Sequence, residues 1–440
     1  MKRKIIAGLL ILASMMTMAG CTNNNVSNTG NNNGNNNGKN GVVSDDEKNR
    51  NGSEISNSGT ANYEFENREL GGSNVVNSSI VTDLIAQANA GSNVMYSPTS
   101  LNMALAMAGE GGNENAKALI NSFLGTDNYS DRANTLMTNF EDYNSESEYW
   151  GYSNKLEVAN ALWVDKRLKL NKDFEAVVKN SYQANADEVD FTKPDNACNK
   201  INDWAKDKTH GLIPQILSPD VITTDTRMVI TNSLYFESAW SEAWTLKNNE
   251  EDFTLIDGST QQINYITSEG GAYYENDYAT AFSCSYMSGI RFIGILPKEE
   301  GDFNLEDLDI EGLLKTESYS HDELYYKMPR LNFETSNDLN NVFKALGMES
   351  LFAEGAGFDG IADNEALYIS SIIQKTKLEL DENGTKAAAV TAITMDCESC
   401  AEIEEEPVIK RVYLDRPFAF LIYDRENDEI LFMGKVVTAE

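Results

Sequence analysis

The segment that most constrains this chain lies near its C-terminus. Glu382 to Thr394 reads ENGTKAAAVTAIT, one glycine and then a proline-free run of small and β-branched residues. So little bulk makes a weak core helix, and the run lacks the side chains a catalytic loop needs. It suits an exposed segment that must later slide into a tightly packed place. A strand alternates its side chains between two faces, and the run divides cleanly on that period. Thr385, Ala387, Ala389, Thr391, Ile393 and Met395 form one face, small first and apolar last, as a core-facing set should be. Lys386, Ala388, Val390, Ala392, Thr394 and Asp396 form the other, with charges at its ends as on a solvent face. No proline interrupts the ladder, and Gly384 supplies a hinge. About ten new ladder bonds at roughly 1 kcal/mol each, plus burial of Ile393 and Met395, come to on the order of 10 kcal/mol, enough to make insertion effectively one-way.

The N-terminus has a different character. Lys2, Arg3 and Lys4 precede a short apolar run from Ile5 to Ala13, and Met18-Ala19-Gly20 precedes Cys21. This is the layout of a secretory signal, with an apolar run too short for a firm membrane span. Small residues before a cysteine resemble the lipobox of bacterial lipoproteins, which implies that Cys21 becomes the lipidated first residue. Residues 22–71 then form a tether. Its first part, NTGNNNGNNNGKNG, has no apolar residue to bury and cannot offset the entropy of ordering. An anchor followed by a polar tether would hold a folded domain, residues 72–440, away from a membrane surface. The expected location is therefore the outside of a bacterial cell, with membrane contact through the anchor only.

Charge and rare residues exclude several classes. The formal net charge of −34, from 69 acidic and 35 basic residues, argues against a nucleic-acid partner. Five cysteines in 440 residues do not make a disulfide scaffold. Two histidines, His210 and His321, leave little for a metal site or a Ser-His-Asp triad. No cofactor and no metal are expected.

Periodicity gives a coarse map. Val75 to Ala90, Lys172 to Tyr182, Ala197 to Thr209 and Leu339 to Leu346 read as helices, and Ser97-Pro98-Thr99-Ser100 opens another. Leu156 to Asp165, Arg227 to Glu237 and Ile290 to Leu296 read as strands, as does Leu324 to Phe333 with a proline break. Leu367 to Asp381 reads as a helix followed by a strand. Phe418 to Tyr423 and Ile430 to Val437 form a closing hairpin with its turn at Arg425 to Asp428. Helices first and then mainly strands indicate an α+β architecture with a large mixed or antiparallel sheet.

In this order NVMYSPTSLNMALAMAGEGG, ANALWV, INDWAKDKTHGLI, TNSLYFESAW, YYKMPRLNFE, LGMESLF and DRPFAFLIYD…LFMGKVV resemble the serpin family from about residue 72 to 440. The resemblance implies the serpin fold: helices, a large central sheet, smaller sheets and an exposed reactive-centre loop at about residues 382–412. Trp240 falls at the family's tryptophan at the top of the central sheet. Ser97 and Ser100 fall at the serines beneath the point where its strands part. Where the family commonly has a histidine in that region, this chain has Gln374, which also donates and accepts hydrogen bonds.

The resemblance further implies a suicide inhibitor of extracellular serine proteases, and of some cysteine proteases, acting as a monomer and not as an enzyme. The protease cleaves the loop, remains acylated, and is carried along as the loop inserts. The hinge would comprise Gly384, Thr385, Lys386, Ala387, Ala388, Ala389, Val390 and Thr391. The family's loop length puts the cleaved bond between Glu398 and Ser399, with Met395, Asp396 and Cys397 as alternatives. Cys397 and Cys400 have C-x-x-C spacing, which leaves a disulfide across the bait open. The other reading is a non-inhibitory surface binding or adhesion protein. Such members tend to carry bulky, charged or proline residues in the hinge, and this chain does not.

Overall fold

The computed structural model describes residues 73–147, 152–318, 323–362, 367–385 and 408–439. These lie within one compact unit, Asn62–Glu440. The architecture is α+β: helices plus three sheets. The central sheet runs in the order β12 (Leu331–Asp338), β13 (Ser371–Asp381), β14 (Gly384–Thr385), β5 (Met228–Ala239), β3 (Tyr152–Asp165), β2 (Ser145–Ser147), with β4 (Asn185–Val189) also paired to β3. A second sheet contains β1 (Val94–Tyr96), β17 (Glu429–Val436), β16 (Phe418–Asp424), β10 (Arg291–Pro297), β9 (Ala279–Ser285) and β8 (Ala272–Glu275). A third contains β15 (Ile409–Tyr413), β11 (Glu323–Pro329), β7 (Thr260–Glu269) and β6 (Thr245–Thr254).

The helices that matter to the site are α1 (Asn74–Ala88), α2 (Pro98–Glu110), α4 (Tyr129–Tyr143) and α6 (Pro194–Lys208); α3 (Glu114–Leu124), α5 (Lys172–Tyr182), α7 (Ile310–Leu314) and α8 (Asn340–Ala345) complete the set. Ser97 caps α2, its hydroxyl accepting from the Ser100 N–H, and Pro98 takes the first helical position, where a missing N–H costs nothing. The rest of α2 is buried almost all round, so it runs through the core rather than along its surface.

The main core lies between the inner face of the central sheet, α1, α2 and the second sheet. A smaller core lies on the outer face, where Ala197, Cys198, Ile201 and Ala205 of α6 cover Ala161 and Trp163 of β3, Val229 of β5 and Ile373 of β13. Two elements depart from the sequence reading. Leu367 to Ser370 form no helix, and Ser371 to Gln374, buried on both faces, already begin strand β13. Leu324 to Phe333 is not one interrupted strand: Pro329 and Arg330 turn a corner, and β11 and β12 belong to different sheets.

Candidate functional site

Two strands of the central sheet, β5 and β13, are held together at both ends and parted in between. At one end they pair directly and in parallel, residues 371–374 against 229–232. At the other end β14 lies between them, antiparallel to both: Thr385 faces Leu380 and Ser238, and Gly384 faces Asp381 and Ala239. Between these closures, residues 233–237 of β5 and 375–379 of β13 have no strand between them among the described residues. Ladder groups left open inside a sheet, rather than at its edge, make a ready template for a further strand.

The lower closure is a polar clasp. Gln374 is fully buried, and its side chain grips the backbone of Ser97: Oε1 accepts from the Ser97 N–H at 2.8 Å, and Nε2 donates to the Ser97 carbonyl at 3.0 Å. The same Nε2 donates to Asn232 Oδ1 at 2.6 Å, which also accepts from the Ser100 hydroxyl at 3.3 Å. One amide side chain thus ties β13 to β5 and to the cap of α2. Opposite Asn232 on β3 stands Asn160, and the buried Asn160 Oδ1 and Asn232 Nδ2 have no partner.

The upper closure is aromatic. Trp240 stacks on Tyr286 with centroids 4.2 Å apart, and Phe236 meets Tyr286 edge-on at 5.0 Å. Trp240 Nε1 donates to the Asp381 carbonyl at 2.8 Å and its backbone N–H to the Asn383 carbonyl at 3.1 Å, fixing the turn that leads from β13 into β14. Arg330 forms an ion pair with Glu382 on that turn and holds its carboxyl below the ordinary range. Gly384 has φ of 140°, and a Cβ there would collide with the Ser238 carbonyl oxygen and lie 2.7 Å from Ala239 Cα, so the chain can enter the sheet here only through glycine. The Thr385 hydroxyl is buried 2.7 Å from the Tyr286 hydroxyl. Burial pushes the Tyr286 phenol well up, so it stays neutral and able to share that bond.

The structure therefore brings Ser97, Ser100 and Gln374 into one network and sets Trp240, Gly384 and Thr385 together at the opposite end. Lys386 to Thr391, the bait positions Met395, Asp396, Cys397, Glu398 and Ser399, and Cys21 lie outside the described residues. Tyr286 and Asn232 were not singled out from sequence. Tyr286 carries no local signal beyond being an aromatic residue before a glycine turn. Asn232 had one, a polar Thr-Asn-Ser triplet inside a buried strand. Among the described residues no cluster of His, Cys, Asp and Glu could hold a metal ion, and no helix is long and apolar enough to cross a membrane. Cys198 and Cys284 are buried free thiols.

Residues 77–439 match the family model described as Serpin (serine protease inhibitor). The chain is 30% identical to Serpin-Z10 of Arabidopsis thaliana over 380 residues, covering 80% of this chain and 94% of that one. It is 33% identical to an uncharacterized serpin-like protein of Thermococcus kodakarensis over 353 residues, covering 78% and 80%. Among solved structures, the thermophilic serpin tengpin in its native state matches with a TM-score of 0.68 at 26% identity, covering 85% of this chain and 97% of that one.

Proposed function

This chain belongs to the serpin family, whose members are in general serine protease inhibitors, and from that premise we propose that it is a suicide-substrate inhibitor of extracellular serine proteases. The observation that carries the reading is the parted sheet with the first two loop residues already between its strands. Continuing the pairing of Gly384 and Thr385 one residue at a time gives each following residue two neighbours. Lys386 would come between Glu237 and Glu379, Ala387 between Phe236 and Leu378, and Ala389 between Leu234 and Thr376. Thr391 would arrive between Asn232 and Gln374, where the clasp must part. The face that receives Ala387 and Ala389 is core, with Phe236, Leu234, Leu378 and Thr376 all buried. Only small side chains thread such a place without strain.

In the proposed reaction the protease serine oxygen attacks the carbonyl carbon of Glu398, and the amine of Ser399 leaves with the proton. The acyl ester is then a race between water and the loop. Insertion wins because ladder formation and apolar burial pull the ester, with the protease attached, away from its productive geometry. We assign residues 1–21 to a lipoprotein signal with Cys21 as the anchor, which would place the inhibitor on the outer face of a bacterial membrane. Replacing Cys21→Ser should release the protein from membranes, and continued retention would remove the anchor from the account.

The test of inhibition is a panel of elastase-, subtilisin-, trypsin- and glutamyl-specific proteases incubated with the purified protein. A detergent-resistant complex, with a released fragment starting at Ser399, is the expected result. Cleavage across the panel without a complex, and without a gain in heat stability, favours the non-inhibitory binding protein instead.

A further inference from the structure

We propose that Arg132, on the surface helix α4, is a positioning residue for the polar clasp, acting through a buried carboxylate, Glu429. Glu429 opens strand β17 with a side chain only 1% exposed. Burial pushes its carboxyl pKa up, while Arg132 and Thr99 pull it down. Arg132 Nε donates to Glu429 Oε1 at 2.7 Å, and its Nη2 completes the ion pair. The other carboxylate oxygen, Oε2, lies 3.0 Å from the Thr99 hydroxyl, whose single proton is shared between it and the Ile430 carbonyl at 2.7 Å.

Thr99 stands in the first turn of α2, between the two serines of the clasp. Ser97 on one side has both its backbone groups held by Gln374, and Ser100 on the other bonds Asn232. A continuous set of contacts therefore runs from a guanidinium that is 43% exposed, through Glu429 and Thr99, to the network that keeps β5 and β13 closed. Without Arg132 the carboxylate is a buried charge lacking its cation, and such a group must protonate or move. Movement of the ionised carboxylate toward water pulls on Thr99 and on the turn that presents Ser97 and Ser100. The same helix also meets the same hairpin off this path: Asn139 Nδ2 donates to Asn427 Oδ1 at 2.6 Å, and the Tyr143 hydroxyl donates to Asp424 Oδ1 at 2.8 Å. The Tyr143 contact provides a control for general loosening of α4.

This inference rests on the sheet-opening reading above, and the test separates the two. Intact protein is incubated, without protease, with a synthetic peptide spanning Thr385 to Met395, and uptake is followed by the rise in heat stability. If wild type takes up no peptide, the sheet does not open as proposed and both readings fall. If it does, Arg132→Ala should take up peptide about tenfold faster, because the clasp is released. Adding Glu429→Gln should restore the rate to within about twofold, since a neutral amide needs no cation yet can still meet Thr99. Tyr143→Phe should leave the rate near wild type. An unchanged rate in Arg132→Ala overturns the relay alone. So does an equal acceleration in Tyr143→Phe, or a failure of Glu429→Gln to rescue.

Discussion

The two ends of the same strand pair are closed by opposite chemistry. The lower closure is made of amides and hydroxyls: Gln374, Ser97, Asn232 and Ser100 form a directional network in which each group has one acceptable geometry. The upper closure is a stack of Trp240, Tyr286 and Phe236 around a two-residue strand, tolerant of small shifts. Directional bonds resist displacement until they break, whereas an aromatic stack yields gradually. The pair thus has a loose mouth and a firm lock, and an inserting loop meets them in that order.

The sharpest way to break this comparison is Thr385→Arg at the mouth. Thr385 is buried, and a guanidinium there would have to enter the core beside Tyr286. The variant should fold but behave mainly as a substrate, needing about tenfold or more inhibitor per protease inactivated. Inhibition at unchanged stoichiometry would count against insertion. At the lock, Gln374→Ala leaves the Ser97 N–H without an acceptor in the interior and opens a cavity, while the Ser97 carbonyl keeps the Leu101 N–H and Asn232 Oδ1 keeps the Ser100 hydroxyl; it should lower stability by about 3 kcal/mol while speeding peptide uptake. Chemical denaturation with a parallel uptake assay checks both; slower uptake would reverse the assignment of lock and mouth.

A third prediction concerns pH. The clasp groups carry no titrating side chain of their own, but Glu429 reaches them through Thr99; in a Glu429→Gln background the ratio of uptake rates for Gln374→Ala and its parent should therefore be the same at about pH 5.5 and about pH 8. Global stability should behave differently. Asp83 accepts from the N–H groups of Leu305 and Glu306, and burial raises its pKa to about 6. The folded state therefore binds a proton more tightly than the unfolded chain. Its contribution is complete below about pH 4 and is lost as pH rises through about 6. Asp83→Asn should flatten roughly 2 kcal/mol of that slope. The mildest change is Tyr286→Phe, which removes one buried hydroxyl from Thr385 and should cost about 1 kcal/mol while keeping the stack. A cost as large as that of Gln374→Ala would mean the mouth is not the looser end.

The lock was easier to find in the sequence than the mouth. Ser97-Pro98-Thr99-Ser100 announces a helix cap, and Gln374 was found through the family resemblance, at a position where the family commonly has histidine. Gly384 and Thr385, which open the small-residue run, are placed in the sheet as strand β14, while Lys386 to Thr394 lie outside the described residues. Lys172–Tyr182 was read to the residue, since its apolar positions follow a helix and Asn171 caps it. Strands β6 and β7 were missed because TLKNNEEDFT and TQQINYITSE are largely polar and exposed, leaving no buried face to show a period. Tyr286 was missed for another reason. Its role comes from a stack and a hydroxyl contact with residues 46 and 99 positions away, by the differences 286 − 240 and 385 − 286, which no local pattern encodes.

The central claim is that residues 233–237 and 375–379 receive the loop as a new strand. Amide hydrogen exchange, read by mass spectrometry before and after cleavage of the loop, tests it most directly. Cleavage should add protection at the N–H groups of both segments that face the gap, beyond those already paired with β3 and β12, and should protect the peptide carrying Lys386 to Thr394. Exchange that stays unchanged in both segments after cleavage would contradict the account.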